Sequence, residues 1–308
     1  MLLGLGDGTF APQQTFDAGD GPRSVTTGDF NDDDITDLAI ANSNSTDVSV
    51  LLGQGDGTFE FQQTFSAGAS NVLSVATGDF DGDGNMDLVS SNLVDSVSVL
   101  LGIGDGTFAP WESFPAGGSP RSVTTGDFNG DGVTDLATAN RNSDDVSVLV
   151  GLGDGTFAPH QTFDTREGPL SVTTGDFDGD GVTDLASAND SESISVLLGL
   201  GGGLFASPIN LHTGDFPLTV TSGDFNSDGV TDLASANSDS DDVSVLVIQC
   251  GSVLLGDLNL DGVVNLLDIS PFVELLSSGE IQLEADINQD GNIDLLDVGP
   301  LIEILTGG

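Results

Sequence analysis

Positive charge and cysteine are almost absent from this sequence. Its 308 residues include 50 acidic side chains and only four basic ones, all arginine, for a formal net charge of −46. A chain this acidic repels the phosphates of nucleic acids and the headgroups of anionic membranes, so neither is expected as a partner. The absence of lysine excludes lysine-dependent covalent catalysis. The single cysteine, Cys250, excludes a disulfide framework and a multi-cysteine metal site.

Long apolar runs and histidines are also scarce. No apolar run approaches the roughly 20 residues that a membrane-spanning helix needs, so membrane insertion is not expected. His160 and His212 are too few for most zinc or triad chemistry, and we predict no catalytic residue. The chain is nevertheless not a disordered acidic one, because 37% of it is hydrophobic and 17 phenylalanines recur at fixed places. We therefore expect a folded protein that is not an enzyme.

A tandem repeat organises the first 248 residues. Segments of the form GDFNGDGVTDLA recur every 48 to 50 residues, a period typical of propeller blades or solenoid units. Each unit reads as four short strands by alternation and turn residues: A (SVTTGDF), B (DLAxAN), C (DVSVLLG) and D (APxQTF). No helical pattern of ten or more residues precedes residue 250. The sequence therefore predicts an all-β propeller of five four-stranded blades. The repeats begin at Gly28, Gly78, Gly126, Gly175 and Gly223.

The strand count also predicts how the ring closes. The N-terminal segment supplies a D strand near residues 13–16, whereas the last unit ends after its C strand at residues 243–247. Pairing of these two segments would complete the fifth blade. The alternative is that the chain is a fragment of a larger ring, because Met1 lies inside a repeat; no signal peptide is present in the chain.

The repeated motif D-x-[DN]-x-D-G-x-x-D matches the first nine positions of an EF-hand-type calcium loop. Oxygens at positions 1, 3, 5 and 9, with a backbone carbonyl at position 7, suit a hard cation. Glycine at position 6 permits positive φ in four loops, whereas the first loop has Asp34 there and is predicted to be the weakest. The predicted ligands are Asp29, Asn31, Asp33, Ile35 and Asp37; Asp79, Asp81, Asp83, Asn85 and Asp87; Asp127, Asn129, Asp131, Val133 and Asp135; Asp176, Asp178, Asp180, Val182 and Asp184; and Asp224, Asn226, Asp228, Val230 and Asp232.

These units resemble FG-GAP/VCBS-type repeats, the calcium-loop blades of integrin α subunits and of many bacterial surface proteins. The resemblance covers residues 1–248. It implies that the calcium loops lie between strands A and B on one face of the propeller, and that partners dock on the other face. It also implies a secreted or cell-surface protein with a role in adhesion or binding.

Residues 249–308 contain a second duplication, GDLNLDGVVNLLD and ADINQDGNIDLLD, 29 residues apart. Each loop has an acidic residue at position 12 and is followed by apolar residues at helical spacing. This α-helical, EF-hand-like module is similar to a type I dockerin and brings the expected calcium sites to about seven. Leucine pairs stand at loop positions 10 and 11, where cohesin-binding dockerins carry Ser/Thr-type residues, so a cohesin-like partner is not expected. The predicted ligands are Asp257, Asn259, Asp261, Val263, Asn265 and Asp268, with Asp286, Asn288, Asp290, Asn292, Asp294 and Asp297.

The D–A and B–C connections differ most among the units and are predicted to gather on the face opposite the calcium loops. All four arginines, Arg23, Arg121, Arg141 and Arg166, lie in or beside these connections. We predict an extracellular adhesion, binding or structural module that meets a protein or polysaccharide through this variable face. The alternatives are a glycan-binding lectin or a non-catalytic part of a polysaccharide-degrading enzyme. A further alternative is that the connections vary in sequence without any binding role.

Overall fold

The computed structural model describes residues 1–68 and 71–248. The chain divides into two units, Met1–Ile248 and Gln249–Gly308. Every prediction for the dockerin-like module and for Cys250 lies outside the described residues. Within them, no helix is long and apolar enough to cross a membrane.

The five repeats form five antiparallel sheets, here called blades 1 to 5, and in each sheet the strands are arranged in chain order. The first strands are β1 (Pro22–Gly28), β5 (Val72–Gly78), β9 (Pro120–Gly126), β13 (Pro169–Gly175) and β19 (Pro217–Gly223). The second are β2 (Asp37–Asn42), β6 (Asp87–Asn92), β10 (Asp135–Asn140), β14 (Asp184–Asn189) and β20 (Asp232–Asn237). The third are β3 (Asp47–Leu51), β7 (Ser96–Leu100), β11 (Asp145–Leu149), β15 (Ser193–Leu197) and β21 (Asp242–Leu246). The fourth are β4 (Gln63–Ser66), β8 (Glu112–Pro115), β12 (Gln161–Asp164) and β18 (Ile209–His212).

The fourth strands are shorter than the APxQTF pattern predicts. Each has only four residues, because the chain before it folds back in a narrow hairpin around the GDGT turn. In blade 1 this hairpin is closed by a bridge between Gly53 and Phe59. In blade 4 it forms a small two-stranded sheet, β16 (Gly199–Gly201) with β17 (Leu204–Phe205). The four-stranded pattern is thus confirmed in blades 1 to 4, with an added hairpin at the rim.

Four apolar clusters lie between successive blades and form the core. In the first cluster, Val48 and Val50 of β3 pack with Val75 of β5 and Leu88 of β6. The phenylalanines join these clusters: Phe65 and Phe108 meet edge to face at 5.0 Å. The phenylalanines therefore pack between units at these boundaries. Equivalent residues repeat the arrangement at the three later boundaries.

The predicted closure of the ring is not observed. Blade 5 has only three strands, β19-β20-β21, among the described residues, and residues 13–16 form no strand. The N-terminal segment lies against blade 1 instead, where Phe16 contacts Phe59 edge to face at 5.1 Å. Val243 on β21 is consequently 66% exposed, although its counterpart Val146 is fully buried. Val25 of β1, at the other end, is 62% exposed.

Candidate metal loops and the opposite face

The acidic loops join the first strand to the second strand in every blade, as the resemblance implies. Each is a series of turns in which the aspartate at position 1 accepts backbone N–H groups from across the loop. In blade 2, the N–H of Gly82 donates to Asp79 Oδ1 at 2.7 Å and that of Gly84 to Asp79 Oδ2 at 3.1 Å. The N–H of Asn85 donates to Asp83 Oδ1 at 2.8 Å. These bonds bend the backbone tightly and fix the position of the acidic side chains.

The position-9 aspartate has a structural role that cannot be predicted from the motif. In blade 3 the side chain of Asp135 is fully buried. Its Oδ2 accepts the N–H of Phe128 at 2.9 Å, and its Oδ1 accepts the N–H of Gly151 at 2.7 Å. The carboxylate therefore fastens the loop to the end of the third strand. The same two bonds recur in the other four blades.

Carboxylates at positions 1, 3 and 9 converge in two of the loops. Oxygens of Asp79, Asp81 and Asp87 lie within 4.8 Å of one another, as do those of Asp176, Asp178 and Asp184. Burial raises the pKa of Asp87 to about 6, and the negative charges of Asp81 and Asp79 add to that rise against the hydrogen bonds from Phe80 and Gly102. The pKa of Asp184 is raised to about 6 for the same reasons. Such a cluster of hard oxygens fits a divalent cation.

The first loop offers a different sign of a cation site. Asn31 stands at position 3, and its Oδ1 is buried without a hydrogen-bond partner among the described residues. An orphaned buried oxygen is costly unless something satisfies it. A hard cation held with Asp29 and Asp33 would do so. The residues of this loop therefore also fit calcium.

Backbone strain is larger in the first loop than the sequence suggests. Position 6 has positive φ in all loops, at 83° to 89° for the four glycines and 62° for Asp34. Position 4 is left-handed as well, and there the first loop has Asp32 at 58° and the fifth has Ser227 at 63°. Sequence reasoning missed position 4, although glycine at Gly82, Gly130 and Gly179 was a signal for it. Two strained non-glycine residues make the first loop the least favourable backbone.

The ends of the sheets opposite the loops share a buried polar network that the sequence analysis also missed. In blade 3, Asn140 Nδ2 donates to Asp145 Oδ1 at 2.7 Å and to Ser147 Oγ at 2.9 Å. The Gly117 N–H donates to the same hydroxyl at 3.0 Å. Its signal is an asparagine that ends the second strand in all five units: Asn42, Asn92, Asn140, Asn189 and Asn237.

The variable connections rest directly on this network. In blade 3 the backbone N–H groups of Arg141 and Asn142 donate to the carbonyls of Ser119 and Gly118, at 3.2 and 2.9 Å. The B–C turn thus pairs with the D–A connection of its own blade. Blades 1, 4 and 5 contain corresponding bonds. The two sets of variable connections therefore lie together at the end opposite the acidic loops, as predicted.

The two histidines and the single tryptophan lie at the outer edge of the blades. His212 lies in β18, the outer strand of blade 4, and His160 immediately precedes β12. Trp111 packs over Gly68, where an added Cβ would lie 2.2 Å from the indole ring. A cleft of about 950 Å³ lies beside blade 1 and combines amide and aromatic side chains. Its lining includes Phe16, Phe59, Phe61, Gln54 and Gln62.

Tandem antiparallel blades with an acidic loop between the first two strands define the architecture of an acidic-loop repeat protein. A family model described as FG-GAP-like repeat matches residues 30–90, 84–138, 131–187 and 176–235, which together span more than half of the chain. The chain belongs to the FG-GAP-like repeat family. A second model, the dockerin type I domain, matches residues 255–306. Dockerin type I domains bind calcium, and modules of both kinds are usually extracellular or at the cell surface.

Comparison with solved structures supports the fold alone. One similar structure is a lectin of Agrocybe aegerita, described as specifically recognising non-reducing terminal N-acetylglucosamine, with 19% identity and a TM-score of 0.52. The match covers 73% of this chain and 63% of the lectin chain, so less than two thirds of that protein is represented. Another is a functionally unknown protein from Desulfotomaculum acetoxidans, with 16% identity, a TM-score of 0.52, and coverage of 77% and 72%. Among curated proteins, no sequence matches significantly.

Proposed function

We propose that this protein is a secreted or cell-surface calcium-binding β-propeller that serves as an extracellular adhesion, binding or structural module. It consists of a propeller domain (1–248) and a dockerin-like domain (249–308). The observation that carries the proposal is the separation of the two ends of the blades. Acidic loops occupy one end of every sheet, and variable turns occupy the other, above a rigid buried network. This arrangement suits a metal-stabilised scaffold with an exchangeable binding surface.

Calcium in this proposal binds at about seven sites, five in the propeller loops and two in the dockerin-like domain. Bound calcium would neutralise the clustered carboxylates and stabilise the folded state through mass action. The ligands are those predicted from the sequence, supported by the two carboxylate clusters and by the orphaned Asn31 oxygen. We propose no catalytic role, because repeat domains and dockerin domains are typically non-catalytic modules.

Binding through the variable face is tested with one bulky substitution and its matched control. Asn142 is an exposed residue of the variable face, and Gln161 is an exposed residue of the outer strand β12. Wild-type protein, Asn142→Trp and Gln161→Trp are applied with calcium to an array of polysaccharides and extracellular-matrix proteins. We expect Asn142→Trp to lose at least tenfold in affinity and Gln161→Trp to bind normally. Equal loss in both variants, or no binding by the wild type, would contradict a binding function of this face.

A glycan-binding lectin is the second candidate, and the cleft beside blade 1 favours it. Phe61 is 96% exposed there, flanked by Gln62 and the carboxylate of Glu60. An exposed ring next to amide and carboxylate groups provides the stacking surface and hydrogen bonds that a neutral sugar needs. Loss of array binding in Phe61→Ala, with Asn142→Trp unaffected, would assign binding to this cleft instead of the variable face.

A further inference from the structure

Three of the four cations of the chain lie at the variable ends of blades 1 and 3. Arg23 and Arg121 occupy the same repeat position, the second residue of β1 and of β9. The first strands of successive blades are neighbours: the N–H of Val123 in β9 donates to the Ser74 hydroxyl in β5 at 3.3 Å. The two arginines therefore stand two blades apart along the inner wall of the propeller, at its variable end, with β5 of blade 2 between them.

Arg141 joins this pair from the B–C turn of blade 3. Its backbone bond to the Ser119 carbonyl places it beside the start of β9. Its Nη2 lies 3.2 Å from Asp190 Oδ2 in the equivalent turn of blade 4. This is the only ion pair in residues 1–68 and 71–248. The arrangement anchors one arginine while leaving the positive charge of the other two without a carboxylate partner in that part of the chain.

The charge balance around Arg121 is unusual for a protein with 50 acidic side chains. Its Nε is buried and has no hydrogen-bond partner among the described residues. Burial lowers the pKa of its guanidinium, and the positive charges of Arg141 and Arg23 lower it further. Like charges held together with a buried, unpaired donor cost free energy that a bound anion would offset.

Leucine occupies the same repeat position in the other blades. Leu73 of β5 lies between the two arginine-bearing strands, and Leu170 of β13 follows Arg121 around the wall; both are half-buried. The inner wall therefore alternates guanidinium groups with apolar side chains. A ligand that matches it combines one carboxylate with an apolar face. Because the surrounding protein is strongly negative, a polyanion would be repelled.

We propose that Arg23, Arg121 and Arg141 form a binding site for a uronic-acid residue of an otherwise neutral glycan. The inference rests on the proposed function of the variable face and names the class of its ligand. The guanidinium groups donate to the carboxylate in the planar geometry that suits arginine. The leucines contact the C–H face of the sugar ring.

The test is calorimetric titration of the calcium-loaded full chain with glucuronate, with glucose as the neutral control. We expect glucuronate to bind and glucose not to bind. Arg121→Gln and Arg23→Gln should each weaken glucuronate binding about tenfold or more. Arg121→Lys should recover only part of it, because the ammonium lacks the fork of donors. Arg166→Gln is the matched control, since the exposed Arg166 lies outside the cluster, and it should bind like the wild type. Arg23 is exposed, so its variant remains informative if Arg121→Gln does not fold.

Several outcomes would overturn the inference. Equal binding of glucose, or equal weakening by Arg166→Gln, would show that the cluster does not recognise the carboxylate. Sulfate ion binding as tightly as glucuronate would reduce the site to an inorganic-anion site. Tighter binding of a peptide whose only charge is its terminal carboxylate would assign the site to protein ligands. If an array ligand is lost in Asn142→Trp but retained by both arginine variants, the proposed function stands and this inference fails.

Discussion

Replacing the position-9 aspartate of blade 3 separates the structural role of the loop from metal binding. Asp135→Ala removes the acceptor of two backbone N–H groups, those of Phe128 and Gly151. The site is fully buried, so water cannot replace the lost carboxylate. An unsatisfied buried donor costs about 1–3 kcal/mol, and two of them give about 2–6 kcal/mol. We expect this loss of unfolding free energy with calcium and also in excess chelator.

Asp131→Ala in the same loop is the matched control. Asp131 is exposed; its Oδ1 accepts the N–H of Val133 at 2.8 Å and its Oδ2 accepts the Asn129 side-chain amide at 2.9 Å. In chelator we expect its replacement to cost less than about 1 kcal/mol, because both bonds are exposed and water replaces them. With calcium at a hundred times its dissociation constant, loss of the site costs about 2.7 kcal/mol. Position 5 is thus expected to matter only when metal is present.

The assay is urea denaturation followed by circular dichroism, with both variants and the wild type measured in calcium and in chelator. We expect Asp135→Ala to lower the urea midpoint both in calcium and in chelator. We expect Asp131→Ala to lower it only in calcium. Equal midpoints of the two variants in chelator would refute the structural role of the position-9 carboxylate. Equal midpoints of Asp131→Ala and the wild type in calcium would refute metal binding at this loop.

The other predictions concern the metal, the strained loop and the ends of the blade series. Chelation should lower the melting temperature of the wild type and added calcium should restore it, because the clustered carboxylates repel one another; an unchanged melting curve would contradict calcium binding. Asp34→Gly should raise the unfolding free energy in chelator by about 0.5–1 kcal/mol by relieving left-handed strain, whereas Gly132→Ala, which introduces such strain, should lower it. Val243→Glu should change the urea midpoint little, because this side chain is 66% exposed. Val146→Glu, at the equivalent buried position, should unfold the protein. Severe destabilisation by Val243→Glu would show that β21 is covered in solution.

The blades and the loop positions could be predicted because both follow from short-range patterns. Alternation in DVSVL and the repeated aspartates are local signals, and repetition five times over removes ambiguity. The structural role of Asp135 could not be read in the same way. Its partner Gly151 lies 16 residues away, at the end of another strand, so the bond depends on how the strands pair. The motif explains this aspartate as a metal ligand and contains no sign that it also accepts two backbone N–H groups.

The place where the N-terminal segment packs could not be predicted from the sequence either, for a different reason. Counting strands correctly identified a third strand without a partner, β21, and an N-terminal segment able to supply one. Counting could not show where that segment packs, because each copy of the motif fits several equivalent places. Phe16 contacts Phe59 in the way that Phe65 contacts Phe108. The segment therefore occupies the place of a preceding fourth strand beside blade 1, without pairing to β21.

Because the boundaries between blades repeat, they also indicate which surface would cover the exposed faces of the first and last blades. Every inner boundary joins third-strand valines of one blade, one of them replaced by Ile194 in blade 4, to a first-strand valine of the next blade. The first and last blades each expose one half of such a boundary. Val25, Val243 and Val245 are more than half exposed, and Phe225 is 50% exposed. Complete burial is worth about 1.5–3 kcal/mol for each such side chain, so covering these four half-exposed ones would contribute roughly 3–6 kcal/mol. Because the two faces carry the side chains that already pack together inside the protein, they match each other better than unrelated surfaces, and this free energy favours arrangements that join one face to the other.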